Sequence, residues 1–158
     1  MAERTISSLE DIWPLQAALN ARAGFDTQAL GAKLAAAERA GELPDTGGAR
    51  LAVGRALKCY VDALASECAE MQGCLAWKHW YREAREGRQY ELQNLQNARV
   101  EAADMLFFWI SICQLLGLSP QDIYRLYGKK LDINVRRQDE ARLQSDHASH
   151  EEENRSVV

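Results

Sequence analysis

The chain is short of everything that would staple, pierce or wrap something large. Its four cysteines, Cys59, Cys68, Cys74 and Cys113, include no Cys-x-x-C pair, and its three histidines form no cluster beside them. That excludes a zinc site of the usual spacing and gives no disulfide framework. The expected role of the cysteines is as small apolar side chains in a reducing compartment. There is no basic excess. Lysine and arginine number 19 against 23 acids, a net charge of −4, which argues against nucleic acid as the main partner. No apolar run is long enough to cross a bilayer. The longest, Ala102 to Leu116, is too short and carries Asp104. The opening MAERTISSLEDIW has early acids and no apolar core, unlike a signal peptide. The expectation is a cytoplasmic protein with no membrane partner.

Prolines are also few, three in 158 residues, and no segment alternates apolar and polar side chains as a half-buried strand does. Apolar spacings of three and four recur instead, so the expected fold is all-α, a bundle of four to five helices. Helices are predicted from Pro14 to Arg22, from Thr27 to Ala40 behind an Asp26/Thr27 cap, and from Ala49 to Glu83. Gly41 to Gly48 reads as a loop, and Arg85 to Gln96 as a polar link with some helix. A fourth helix is predicted from Asn97 to Leu116, ended by Gly117. A fifth starts at Ser119, with Pro120 in its first turn and Asp122 closing a cap, and runs to about Arg142. One domain is expected over 1–142 and an acidic disordered tail over 143–158. Between Ala102 and Leu116 only Asp104, Ser111 and Gln114 are polar. A helix apolar on nearly all sides is expected to be buried on nearly all sides, which predicts a homo-oligomer.

Two acid pairs carry the chemistry. Glu67 and Glu70 stand three residues apart on the third predicted helix, and Glu101 and Asp104 repeat that spacing on the fourth, so each pair shares a helix face. Exposed Glu-x-x-Glu pairs are commonplace. Here Glu67 has Leu64 and Met71 one turn to either side, and Asp104 has Val100 behind it and Phe107 and Phe108 ahead. Carboxylates aimed at a core need either buried cations or a shared divalent ion. All-oxygen ligands on facing helices suit Mg²⁺ or Mn²⁺. A network of salt bridges is the alternative.

Trp77-Lys78-His79-Trp80 follows the first pair, a flat apolar surface with a cation beside it. The last predicted helix carries Lys129, Lys130, Asn134, Arg136, Arg137 and Gln138, which suits either a solvated basic helix end or a phosphate contact.

The ordered blocks resemble the all-α nucleoside triphosphate pyrophosphohydrolases, the MazG and dimeric dUTPase superfamily, and within it the dCTPase–dUTPase branch. Glu67-Cys68-Ala69-Glu70 with Trp77-Lys78-His79-Trp80 is similar to its glutamate pair and tryptophan-rich motif. Gln96 to Asp104 resembles the second acidic motif. Leu115 to Gln138, with Lys130, Asn134 and Arg137, resembles the closing helix, and Leu15 to Asn20 the first. The resemblance spans most of residues 10–140. It implies a MazG-like bundle, active as a homodimer or homotetramer. The reaction would be hydrolysis of a deoxynucleoside triphosphate to monophosphate and pyrophosphate.

Glu67, Glu70, Glu101 and Asp104 would hold about two or three Mg²⁺ (or Mn²⁺) ions, with Glu67 or Glu70 as base. Lys78, Lys130, Asn134 and Arg137 would contact phosphate, and Gln16, Asn20 and Trp77 the base. The pattern departs from the family at Phe107-Phe108, at Leu131 and at Asp139-Glu140-Ala141. dUTP is the first expected substrate, with dGTP or dCTP in a phage nucleotide-pool pathway next. The competing class is a non-catalytic helical oligomerisation protein.

Overall fold

A computed structural model describes residues 5–41, 48–139 and 155–157. The described residues are all-α, with six helices and one isolated antiparallel bridge, Leu75 to Leu92. The helices are α1 (Leu9–Arg22), α2 (Thr27–Ala40), α3 (Ala49–Gly73), α4 (Arg82–Arg85), α5 (Leu95–Leu115) and α6 (Pro120–Asp139). None is both long and apolar enough to cross a membrane by itself. The chain forms two compact units, Met1–Gly117 with α1 to α5 and Leu118–Val158 with α6.

Local chemistry sets the helix starts. Asp11 Oδ2 accepts from the backbone N–H groups of Ser7 and Ser8 at 2.9 and 3.0 Å, drawing the chain into α1 five residues before Pro14. The predicted Pro14 start is therefore too late, and Pro14 is carried inside the helix. Asp26 Oδ1 accepts from Ala29 N at 2.9 Å and opens α2 at the predicted residue. In the second unit, Asp122 Oδ2 accepts from Ser119 N at 3.0 Å and Asp122 N donates back to Ser119 Oγ at 3.2 Å. This reciprocal cap starts α6 where predicted.

The core of the first unit forms where α2, α3 and α5 meet. Val53, Ala56 and Tyr60 from α3 and Leu115 from α5 are buried, with Leu30, Leu34, Leu57, Phe108 and Ile112 packed on them. The approach of α2 to α5 is close. A Cβ added at Gly31 would stand 2.0 Å from the Gln114 carbonyl oxygen and 3.0 Å from Gly117 N.

Two expectations change. The third helix stops at Gly73 instead of Glu83, because the backbone beyond it finds partners across a loop. Ala76 N donates to Glu91 O at 2.9 Å, Tyr90 N to Ala76 O at 3.0 Å and Gln93 N to Cys74 O at 2.8 Å. These rungs take the groups a longer helix would have used, and only the single turn of α4 is helical between α3 and α5. The apolar stripe of α3 is buried in its first half alone. No residue from Val61 to Gly73 is buried, and Cys59 and Cys68, expected inside, are exposed. On α5, Ile110, Ser111, Cys113, Gln114 and Leu115 are buried, while Val100, Leu106, Phe107 and Trp109 keep 36–46% of their surface exposed. Among the described residues α5 is thus buried along one side.

The predicted loop lies outside the described residues except at Gly41 and Gly48. So does the predicted tail, except for 155–157, where the Val157 carbonyl accepts from Lys129 Nζ at 3.1 Å.

Candidate metal centre and adjoining cavity

Packing of α3 against α5 brings the two acid pairs toward each other. Carboxylate oxygens of Glu67, Glu101 and Asp104 all lie within 4.8 Å of one another. Glu101 is buried, while Glu67 and Asp104 are half-buried. Glu70, the fourth predicted ligand, stands outside this group. It is exposed, and its Oε1 accepts from Ser66 Oγ at 3.4 Å, one turn back on α3. Its charge still reaches the cluster. Glu67 is pushed above the ordinary carboxylate range, first by desolvation, then by the Glu70 charge, by a hydrogen bond with Glu101, and by the charges of Asp104 and Glu101.

What neutralises these acids separates the two expectations raised by the sequence. Among the described residues, the ion pairs involve other carboxylates throughout: Glu38, Asp62, Glu83, Glu86, Glu91 and Asp122. None of these reaches Glu67, Glu70, Glu101 or Asp104. The one strong neutral partner is Asn97, which donates from Nδ2 to Glu101 Oε1 at 2.9 Å. Three carboxylates this close could together hold a hard divalent ion, whose preferred donors are oxygens.

Glu67 and Asp104 also line a cavity of about 600 Å³, within the roughly 300–1,000 Å³ span of small-molecule sites. Its walls are Phe25, Tyr60, Phe107 and Phe108, and Gln16 and Asn20 reach it from α1. Phe25 meets Tyr60 edge-on at 5.9 Å between centroids, and Tyr60 meets Phe108 at 6.4 Å. On α3, Cys59, Ala63 and Glu67 line it at successive steps of four, one face of the helix.

The two amides do different things. Asn20 is held in a buried network. Its Oδ1 accepts from Gln16 Nε2 at 2.9 Å, and its Nδ2 donates to Ser111 Oγ at 2.9 Å and Thr27 Oγ1 at 3.1 Å. Thr27 Oγ1 donates to Gln114 Oε1 at 2.6 Å, and Gln114 Nε2 to the Trp13 carbonyl at 2.9 Å. Gln16 is 4% exposed, and its Oε1 is the single buried side-chain polar atom without a partner among the described residues. An orphaned acceptor in a closed protein costs about 1–3 kcal/mol.

Other predicted residues lie elsewhere. Trp77 is exposed and not among the cavity's walls; the aromatic surface there comes from Phe25, Tyr60, Phe107 and Phe108. Lys78 Nζ sits over the rings of Trp77, Trp80 and Tyr81 at 5.4, 5.7 and 5.5 Å, so its charge is held by its own neighbours. Lys130, Asn134 and Arg137 belong to the second unit, at steps of four and three along one face of α6. The sequence does not single out Phe25 and Tyr60 for the cavity. Tyr60 is legible as a core position, but nothing in the sequence puts Phe25 opposite it. Asn97 figures there only as one residue of the second acidic motif.

No family model, no curated protein and no solved structure matches the chain.

Proposed function

We propose that the chain is a divalent-metal-dependent nucleotide pyrophosphohydrolase of the MazG and dimeric dUTPase type, converting a deoxynucleoside triphosphate to its monophosphate and pyrophosphate. The observation that carries this reading is the clustering of three carboxylates, two of which line an aromatic-walled cavity of nucleoside size. Polyphosphate chemistry needs cations against phosphate charge and a flat apolar contact for a base, side by side. When bound, Mg²⁺ or Mn²⁺ would offset phosphate charge and lower the pKa of the attacking water, so that a nearby carboxylate could take its proton more readily.

The chain's own residues do the rest. Glu67, Glu101 and Asp104 hold the cation. Glu70, outside the triad and exposed, remains able to take the proton of the attacking water. Phe25, Tyr60, Phe107 and Phe108 receive the base, with Gln16 lining the same cavity as the amide expected to read it. Asn20 acts here through Gln16, whose amide it holds. Lys130, Asn134 and Arg137 are assigned to phosphate on the strength of the sequence resemblance, as is dUTP as first substrate, with dGTP or dCTP next. The exposed apolar residues of α5 favour a homodimer or homotetramer, and four free cysteines suit a reducing cytoplasm.

The same α5 surface favours one competitor, a non-catalytic helical oligomerisation protein. Incubation with dUTP, dCTP, dGTP, dATP and dTTP, with Mg²⁺ and with EDTA, separates the two. Monophosphate plus pyrophosphate from one substrate, abolished by EDTA, is the expected result. No turnover of any of the five with Mg²⁺ or Mn²⁺ would leave the oligomerisation protein standing.

A further inference from the structure

The segment between α3 and α4 gathers one cation among three rings. Lys78 Nζ stands 5.4 Å from the centre of the Trp77 ring, 5.7 Å from that of Trp80 and 5.5 Å from that of Tyr81. All three distances fall inside the roughly 6 Å over which a ring face attracts a cation. Trp80 and Tyr81 meet at 86° with 6.4 Å between centroids, so their planes form a corner. His79 stands against Trp80 at 4.7 Å, again close to a right angle.

The backbone beneath the rings is held at both ends. Ala76, fully buried, donates from N to Glu91 O at 2.9 Å and accepts at O from Tyr90 N at 3.0 Å, and Trp77 follows it directly. Tyr81 N donates to Lys78 O at 3.0 Å, and Tyr81 is the N-cap of α4. Trp77 and Trp80 stay open to solvent, 37% and 55% exposed.

The ammonium in this cluster is poorly matched to it. A lysine ammonium has three N–H donors and is strongly hydrated. Among the described residues nothing accepts from Lys78 Nζ, and the nearby acids Glu83, Glu86 and Glu91 pair with Arg82 and Arg88. Ring faces answer the charge and leave the N–H groups to water. A fully methylated ammonium carries the same charge with no donor to satisfy, and such cations are what aromatic cages recognise best.

We propose that Trp77, Trp80 and Tyr81 form a cage for the trimethylammonium group of a small molecule, with Lys78 as the resident cation that such a ligand displaces. Consecutive residues build the cage, so its reach is one headgroup. Lys78 is half-buried on a flexible stem and can swing into solvent without moving the backbone. None of these residues belongs to the acid cluster or lines the cavity beside it, so the proposal stands independently of nucleotide turnover. A resident that fills the cage about nine-tenths of the time raises the apparent Kd of a ligand about tenfold.

The test is titration of the full chain with choline chloride at constant ionic strength, followed through the indole N–H signals of its four tryptophans in nuclear magnetic resonance. The neutral analogue of choline, with a tert-butyl group in place of trimethylammonium, is titrated in parallel. Wild type, Lys78→Ala and Trp80→Ala are compared. Choline is expected to move the Trp77 and Trp80 signals and to leave those of Trp13 and Trp109 in place. Its affinity should rise about tenfold in Lys78→Ala and fall in Trp80→Ala, and the neutral analogue should move nothing. A Trp13 signal at its wild-type position shows that each variant keeps its fold, since Trp13 is buried. Lys78→Ala protein that does not respond to choline overturns the proposal. So does a neutral analogue that binds as well as choline, or an affinity that Lys78→Ala leaves unchanged.

Discussion

Replacing Gly31 by alanine tests how α2 and α5 are fitted together, and through them the wall of the cavity. The new Cβ would lie 2.0 Å from the Gln114 carbonyl oxygen, where real Cβ atoms keep at least 3.0 Å, so about 1 Å of separation is required. Neither contact can rotate away, since both the Gln114 oxygen and the Gly117 nitrogen are backbone atoms. Overpacking of this kind costs about 1–3 kcal/mol, and a clash with fixed backbone belongs at the upper end. Against it stands the gain of about 1 kcal/mol from alanine over glycine within a helix. The net loss is about 2 kcal/mol, or roughly 4–8 °C in Tm for a chain of this size.

Gly54→Ala is the matched control. Gly54 is also inside a helix, but a Cβ there meets nothing within 4 Å, so only the propensity gain remains and Tm should rise by roughly 2–4 °C. Thermal unfolding followed by far-ultraviolet circular dichroism reads both. A Gly31→Ala protein as stable as wild type would refute the close approach of α2 to α5. The buried network through Thr27 and Gln114, which positions Gln16, would then lose its support as well.

Glu67→Gln should raise the Tm of the metal-free protein by relieving charge crowding and should abolish the stabilisation by Mg²⁺ expected of wild type. A variant that is less stable without metal and still responds to Mg²⁺ would contradict the assignment. The pH dependence has a definite sign. Glu67 is raised in the fold, so its contribution is fully present below its unfolded pKa and is lost as pH climbs through the folded value. Metal-free wild type should lose that contribution with rising pH, Glu67→Gln should not, and Mg²⁺ should stabilise wild type more as pH rises, since metal and proton compete for the same oxygens. Tm measured across about pH 4–8 checks this. Asp122 is lowered by its hydrogen bonds with Ser119 and moves oppositely: its contribution is present above the unfolded value and lost on acidification. The Cys113 thiol is buried and pushed up to about 11 by desolvation, so a thiol reagent at neutral pH should label Cys59 and Cys68 in the native protein and spare Cys113. Mass spectrometry of the labelled peptides decides, and rapid native labelling of Cys113 would count against its burial.

Features that depend on near neighbours in the chain are legible in the sequence alone. Asp26 and Ser119 with Asp122 start helices because a short polar side chain reaches backbone N–H groups two or three residues on, whatever the rest of the molecule does. The all-α class follows from apolar spacing, and the pairing of acids on one helix face from the helical repeat alone. The end of α3 is illegible, since Gly73 to Tyr81 could continue as helix but for the backbone partners at Tyr90, Glu91 and Gln93 that compete for it. Burial along α3 departs from expectation for a similar reason: an apolar stripe shows which face wants covering and says nothing of whether this chain covers it.

The chemistry divides the same way. Sequence by itself determined which carboxylates share a face, and that they are acids with no cation at helical spacing beside them. Only the tertiary structure decided that Glu67, Glu101 and Asp104 converge while Glu70 stays outside. It also decided that Phe25 faces Tyr60, that Asn20 is locked while Gln16 Oε1 is buried without a partner, and that Asn97 donates to Glu101. Most of these are relations between side chains far apart in sequence, fixed by how closely two helices approach and at what rotation, and a period along one chain carries no information about the rotation of another.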